Sequence, residues 1–122
     1  MEGKDTANIG LSADMHMKLH EMNENGVFNE MKDGYRLAAS LAIKLKLQVE
    51  DHTLQDRKNM YDVGGVDDNF LFRNTISLLY PENKGLEYKY LEKLADKGMA
   101  ILYEKYEETG SLDLADILRN DA

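Results

Sequence analysis

The stretch from Asn29 to Leu47 constrains the fold most, because it has helical spacing and apolar side chains on almost every face. A helix that is apolar on several sides has to be covered by other elements. Ala38, Ala39 and Ala42 are small enough to let a second helix approach closely. The stretch carries no residue set typical of a catalytic centre. We therefore expect it to form the buried centre of a helical protein whose activity lies on outer surfaces.

The composition indicates a single helical domain over residues 1–122. Of these residues 43% are hydrophobic, which suffices for one core but not for two. Strong helix formers and a single proline favour a mainly all-α fold. The absence of cysteine removes disulfides and thiolate metal sites and favours a cytoplasmic protein. No apolar run is long enough to span a bilayer and the N-terminus lacks a signal-peptide pattern, so no membrane partner is expected.

Periodicity and capping residues predict a compact bundle of four to five helices. Ser12 is a good N-cap for the first helix, and Asn29 is the expected cap of the central one. Glycine inside the late helix, at Gly98, indicates close packing. Phe72, Ile76 and Leu79 are expected to face inward. The predicted ranges are 12–25, 29–47, 69–80 and 85–109, with a short helix after residue 111.

Two segments lie outside this helical pattern. Residues 1–6 are expected to be frayed, and 7–11 alternate apolar and polar residues as a short β-strand does. Residues 48–68 show no periodicity. A connection of this length is unusual in a compact domain, so it is either a functional loop or contains a short helix near residues 54–60.

Few side chains are spaced for chemistry. His16, His20 and Glu24 lie one helical turn apart and could in principle share a metal ion, but a glutamate does not follow His16 as in zinc-protease helices. An exposed polar face explains them better. No serine or threonine is placed with a histidine and an acid as nucleophilic catalysis requires. We therefore expect neither an enzyme nor a cofactor.

The candidate partner contacts are arginines and tyrosines. Arg36, Arg57 and Arg73 are dispersed cations that could meet an anionic partner, although for Arg36 an outward-reaching side chain or a pair with Asp33 or Glu30 is the favoured interpretation. Tyr103 and Tyr106 lie on the late helix, and tyrosine is enriched at interfaces as well as in half-buried packing. The net charge of −8 argues against a general electrostatic grip on nucleic acid.

The order of a short strand, a capped helix, a turn and FNEMKDGYRLAASLAI resembles the ribbon-helix-helix DNA-binding unit over about residues 6–47. In that family the strand pairs with its twin across a dimer axis and lies in the major groove. The resemblance implies that Thr6, Asn8 and Gly10 face the groove and that Asn29 lies at a phosphate. Lys4 is the nearest cation, because the strand itself carries none.

A second resemblance covers about residues 28–118. The segments FNEMKDGYRLAASLAI, FLFRNTISLLYPE and YLEKLADKGMAILYEKYEETGSLDLADIL are similar to small proteins associated with bacterial DNA-phosphorothioation (Dnd) defence systems. It implies a role in defence against phage or mobile elements, and it carries no catalytic residue over.

These observations favour a non-catalytic helical binding or regulatory protein that acts through protein contacts, as a homo-oligomer and most simply a homodimer. The alternative is a ribbon-helix-helix-like transcriptional regulator that binds DNA.

Overall fold

The computed structural model describes residues 4–112, and they form five α-helices and one two-stranded antiparallel sheet. The mainly helical fold with a short N-terminal strand is therefore confirmed. No helix within residues 4–112 is long and apolar enough to cross a membrane. The short helix expected after Ser111 lies outside the described residues. In chain order the elements are β1 (Asn8–Leu11), α1 (Ala13–Glu24), α2 (Met31–Lys44), β2 (Lys58–Asp62), α3 (Val63–Val66), α4 (Leu71–Leu79), a 3₁₀ turn (Pro81–Asn83) and α5 (Glu87–Thr109).

The core forms where α2 packs against α5. A Cβ atom on Gly98 would lie 1.9 Å from the backbone oxygen of Ala38, so the two helices touch backbone to backbone at this point. Ala38, Ala39 and Ala42 are fully buried. The expectations of a buried central helix and of close packing at Gly98 are confirmed. The small side chains make this close approach of α2 and α5 possible, because bulkier ones would hold the helix axes apart.

Three helix ends follow local capping chemistry, those at the start of α1, the start of α2 and the end of α5. Ser12 Oγ accepts a hydrogen bond from Met15 N at 3.3 Å, as expected of the N-cap of α1. Gly110 ends α5 in the left-handed conformation, with φ of 77°. The expected cap of α2 is wrong by one residue. Glu30 occupies the N-cap position, and its N–H donates to Asp33 Oδ2 at 3.3 Å.

The N-terminal segment is held in place by α5. Leu86 is the N-cap of α5 and has no side-chain oxygen with which to cap it. Asp5 supplies the cap from a distance, since its carboxylate accepts hydrogen bonds from Tyr88 N and Lys89 N, both at 2.9 Å. The expectation of a frayed segment is thus wrong for Asp5, because the first N–H groups of a helix need an acceptor and attract a negative charge.

Residues 48–68 contain a strand rather than the helix expected near 54–60. In this segment β2 pairs antiparallel with β1, with Asn8 opposite Asp62, Leu11 opposite Lys58 and an irregularity after Ile9. A Cβ atom on Gly10 would meet the backbone oxygen of Lys58 at 1.9 Å. Glycine is therefore needed where the strands approach.

Candidate functional site

Two carboxylates of α5 occupy the place of a third strand beside β1. Gly10 N donates to Glu92 Oε1 at 2.9 Å, and Ser12 N donates to Asp96 Oδ1 at 2.8 Å. Residues two apart in a strand lie about 6.6 Å apart, and residues one helical turn apart are separated by about 6 Å. This match allows two side chains of one helix to satisfy the outer backbone edge of β1, whose buried N–H groups require acceptors.

Arg57 and His52 complete this carboxylate network. Arg57 Nε donates to Glu92 Oε1 at 2.6 Å, and His52 Nε2 lies 2.7 Å from Asp96 Oδ2. Glu92 and Asp96 are only 8% and 3% exposed. Buried carboxylates are costly unless they are paired or hydrogen-bonded, and here each has two partners. The network therefore anchors residues 52–57 to α5.

The hydroxyl of Tyr35 joins the network from α2. It donates to Gly10 O at 2.9 Å from a fully buried position. Burial raises the pKa of Tyr35 well above its usual value, and the charges of Glu92 and Asp96 raise it further. Tyr35 thus stays protonated and keeps its donor role.

A cavity of about 740 Å³ opens beside the network. Arg57, Lys89 and Lys93 bring three positive charges to its lining, against the single carboxylate of Glu92. The remaining lining is polar apart from one leucine; it comprises Thr6, Asn8, His52, Thr53, Leu54 and Asn59. The cavity combines cations with hydrogen-bonding groups, which is the lining that an anionic ligand requires.

The pair of His52 and Asp96 has the geometry by which an acid orients a catalytic histidine. Within residues 4–112 no hydroxyl group hydrogen-bonds to His52. Both carboxylate oxygens of Asp96 are engaged, one by Ser12 N and the other by His52. Asp96 therefore links His52 to the edge of β1.

β1 does not present the free edge that a ribbon-helix-helix dimer needs. One edge pairs with β2, and the other meets Glu92 and Asp96. Arg57 Nη2 also donates to Asn8 O at 3.1 Å. A twin strand would have to displace these partners.

The other residues of the DNA-binding alternative are scattered. Gly10 is buried against β2, so its expected exposure to a groove is wrong. Thr6 and Asn8 line the cavity instead. Lys4 and Asn29 are exposed, and Asn29 lies outside α2, one residue before its N-cap.

A second candidate surface is the apolar face of α4. Four large apolar side chains at this helix are exposed, with exposed fractions of 52% for Phe70, 63% for Leu71, 79% for Leu78 and 51% for Leu79. We call these four residues the α4 patch. Of the α4 residues expected to face inward, Ile76 is buried and Phe72 is half-buried, whereas the prediction for Leu79 is wrong. The apolar side chains of α4 therefore cover a wider part of its surface than the part that packs against the core.

An apolar groove of about 270 Å³ runs beside this patch, between α2 and α4. Ile43 from α2 and Leu71, Phe72 and Thr75 from α4 form most of its wall. At its polar end a neighbouring depression of about 350 Å³ includes Asp68 and shares Leu71 and Phe72 with the groove. The patch and the groove together form one continuous surface.

Two of the predicted partner arginines lie near the α4 patch. Arg36 Nε and Nη2 donate to the backbone oxygens of Val66 and Gly65, both at 3.0 Å, and Arg36 Nη1 lies 3.6 Å from Asp33. Arg36 therefore fixes α3 onto α2, in addition to the pairing with Asp33 foreseen from the sequence. Arg73 is exposed, and its guanidinium lies 5.7 Å from the ring centre of Phe70.

The two predicted interface tyrosines have internal partners. Tyr106 is 8% exposed, and its hydroxyl accepts a hydrogen bond from Asn25 Nδ2 at 2.7 Å. The Tyr103 hydroxyl donates to the carboxylate of Glu21, with oxygen distances of 3.0 and 3.1 Å. Both tyrosines join α5 to α1, so Tyr106 belongs to the core rather than to a free surface.

The candidate metal ligands do not converge. His20 Nε2 lies 3.8 Å from Glu24, and both side chains are more than half exposed. His16 and His20 border a surface depression together with Met17 and Glu21 instead. No group of three potential ligands from histidine, aspartate and glutamate is brought together anywhere in residues 4–112.

Sequence reasoning missed His52, Glu92 and Asp96. A signal was present, because Glu92 and Asp96 are one turn apart and lie next to the buried Met99, at one margin of the apolar face of α5. Two acids at the margin of an apolar face predict buried acceptors. The donors that they meet, on β1, could not be identified without the tertiary structure.

Searches of protein-family models, of curated proteins and of solved structures found no match to this chain.

Proposed function

We propose that this chain is a non-catalytic binding protein that associates with a second copy of itself through the α4 patch. The observation that carries the proposal is the exposure of Phe70, Leu71, Leu78 and Leu79 on one short helix. Monomeric soluble proteins rarely leave large apolar side chains clustered on their surface, and such patches mark interaction sites.

The spacing on α4 suits a two-fold symmetric contact. Leu71 and Leu78 are seven residues apart and lie on the same face of the helix, with Thr75 between them. In an antiparallel pair of α4 helices, Leu71 of one copy packs against Leu78 of the other, and the reverse contact follows from symmetry. The helix is only about 14 Å long, so a stable contact also has to use the groove between α2 and α4.

The charge distribution favours this face over the others. The chain carries a net charge of −8, so most approaches of two copies bring acids together. Residues 69–81, which contain α4, and residues 34–49, which contain most of α2, include no acidic residue. Association through this face keeps the acidic surfaces apart.

Sedimentation equilibrium tests the proposal. The wild-type protein is expected to form dimers, and the double variant Leu71→Glu, Leu78→Glu is expected to be monomeric because it would bury charges in the contact. Met17→Glu is the matched control, since Met17 is an exposed apolar side chain, at 69%, on α1. A wild-type protein that stays monomeric at high concentration contradicts the proposal. So does a dimer that is lost in the Met17 variant and kept in the α4 variant.

The non-catalytic part of the proposal is supported by the roles of the buried acids. Glu92 and Asp96 accept hydrogen bonds from the backbone of β1 and pair with Arg57 and His52. Both acids are thus engaged by backbone and side-chain partners of the fold, which supports a structural role for them.

A defence setting is supported by the resemblance of residues 28–118 to proteins associated with phosphorothioation systems. The position of the gene in sequenced genomes tests this setting. A location beside phosphorothioation genes is expected, and a consistent location elsewhere contradicts it.

A further inference from the structure

We propose that the cavity beside β1 and α5 binds a small phosphorylated molecule, with the phosphate held by Lys89, Lys93 and Arg57. The cavity is separate from the α4 patch and shares no lining residue with the groove between α2 and α4. The inference therefore stands independently of the proposed dimer.

The charge of the cavity is opposite to that of the chain. Its lining contributes three cations and one carboxylate, and that carboxylate, Glu92, is already paired with Arg57. The whole chain has a net charge of −8. An anion that approaches this acidic protein therefore meets a local concentration of positive charge at this cavity.

Lys89 and Lys93 are placed unfavourably for folding alone. They lie one turn apart on α5, and like charges at this spacing repel each other. Lys89 also lies in the first turn of the helix, where the helix dipole disfavours a cation and the carboxylate of Asp5 on Lys89 N offsets part of that effect. Neither lysine forms a salt bridge with any residue from 4 to 112, and Lys93 Nζ donates only to the backbone oxygen of Glu50, at 2.9 Å. A bound anion removes this repulsion.

Arg57 adds a directional donor. Its Nε and Nη2 are engaged by Glu92 and by Asn8 O, whereas its Nη1 makes no hydrogen bond within the described part of the chain. The ion pair with Glu92 fixes the plane of the guanidinium. An arginine held in this way presents its remaining N–H groups to a phosphate with little loss of entropy.

The rest of the lining favours a polyhydroxylated ligand. Asn8, Thr53 and Asn59 offer amide and hydroxyl groups, and no phenylalanine, tyrosine or tryptophan among the described residues lines the cavity. The imidazole of His52 is the one aromatic ring in the described lining, and it is held by Asp96 at 2.7 Å. An aromatic ring is the usual platform for stacking a nucleobase. A volume of about 740 Å³ is in the range of small-molecule sites. Together these features indicate a sugar phosphate rather than a nucleotide.

Isothermal titration calorimetry of the full chain with ribose 5-phosphate, inorganic phosphate and ribose tests the inference. Ribose 5-phosphate is expected to bind more tightly than inorganic phosphate, and ribose alone is expected not to bind. Added salt should weaken binding, because the contacts are ionic. Equal affinity for the two phosphates overturns the part of the inference that concerns hydroxyl recognition.

Two lysine variants locate the site. Lys89→Gln with Lys93→Gln is expected to weaken binding by about tenfold or more, because it removes two charge-assisted contacts. Lys97→Gln is the control, since Lys97 lies one turn further along α5, is exposed and does not line the cavity. Its affinity should change by less than about twofold. Equal losses in both variants, or no binding by the folded wild-type protein, overturn the inference.

Discussion

Helices α4 and α5 are both amphipathic, yet the fold uses them very differently. α5 buries twelve of its 23 residues, including Glu87, Glu92 and Asp96. α4 buries only Ile76 of its nine residues. Acids are buried on one helix while leucines are exposed on the other. Hydrophobicity alone therefore does not show which helix holds the domain together; the partners that the fold brings to each face decide it.

The difference follows from position. α5 contacts α1, α2, α4 and β1, so about half of its residues are buried against neighbours. α4 is short and lies at the margin of the core, where one strip meets α5 and the groove beside α2 stays open. The apolar side chains that the core leaves uncovered are therefore concentrated on α4, and this is where an external contact is expected.

The largest expected effect is that of Gly98→Ala in α5. The added Cβ atom would meet the backbone of Ala38, which cannot rotate away as a side chain can, so α2 and α5 must separate. Overpacking of this kind is expected to lower the free energy of unfolding by about 3 kcal/mol or more. Urea denaturation measures this value.

Gly64→Ala in α3 is the control for that experiment, because a Cβ atom there has nothing within 4 Å. It should leave stability unchanged or raise it slightly, since alanine favours a helix. If Gly98→Ala were as stable as Gly64→Ala, the contrast between a tightly packed α5 and a loosely packed α4 would fail.

An intermediate effect is expected for Glu92→Ala. The substitution leaves Gly10 N without an acceptor and Arg57 without its carboxylate. The free energy of unfolding should fall by about 2 kcal/mol, a value reduced because the Arg57 side chain is partly exposed to water.

The conservative variant Glu92→Gln separates the two roles of this residue. The amide oxygen can still accept from Gly10 N, so this variant should lose only about 1 kcal/mol. Equal losses for alanine and glutamine would show that the charge matters and that the cap on the edge of β1 does not.

The smallest expected effect is that of Leu78→Gln in α4. Leu78 is 79% exposed, so its removal takes little apolar area out of the core. The free energy of unfolding of the monomer should change by less than about 0.5 kcal/mol. Denaturation must be followed at low protein concentration, because dimerisation would itself add stability. A large loss in the monomer would show that α4 is part of the core after all.

Features that depend on neighbouring residues were predictable. The cap at Ser12, the left-handed end of α5 at Gly110 and the break at Pro81 each follow from the chemistry of one residue and its next turn. Gly98 was also foreseen as a close contact. These features need no knowledge of distant parts of the chain.

Features that depend on distant residues were not predictable from the sequence. Asn8 pairs with Asp62, 54 positions away, and β2 carries too weak an alternation to reveal itself. Asp5 caps a helix that begins 82 residues later. In the candidate site, the sequence indicates Arg57 as a cation, but it does not indicate that Arg57 pairs with Glu92 or that His52 lies beside Asp96.

The sequence by itself determined helices α1, α2, α4 and α5, most of their ends and the small residues that let α2 approach α5, because periodicity and capping are encoded within a few turns. Only the tertiary structure decided which polar groups became internal partners and which apolar groups stayed outside. The physical reason is that the contribution of a backbone N–H on β1, or of an uncovered leucine on α4, to the free energy of folding depends on the groups that the folded chain places next to it.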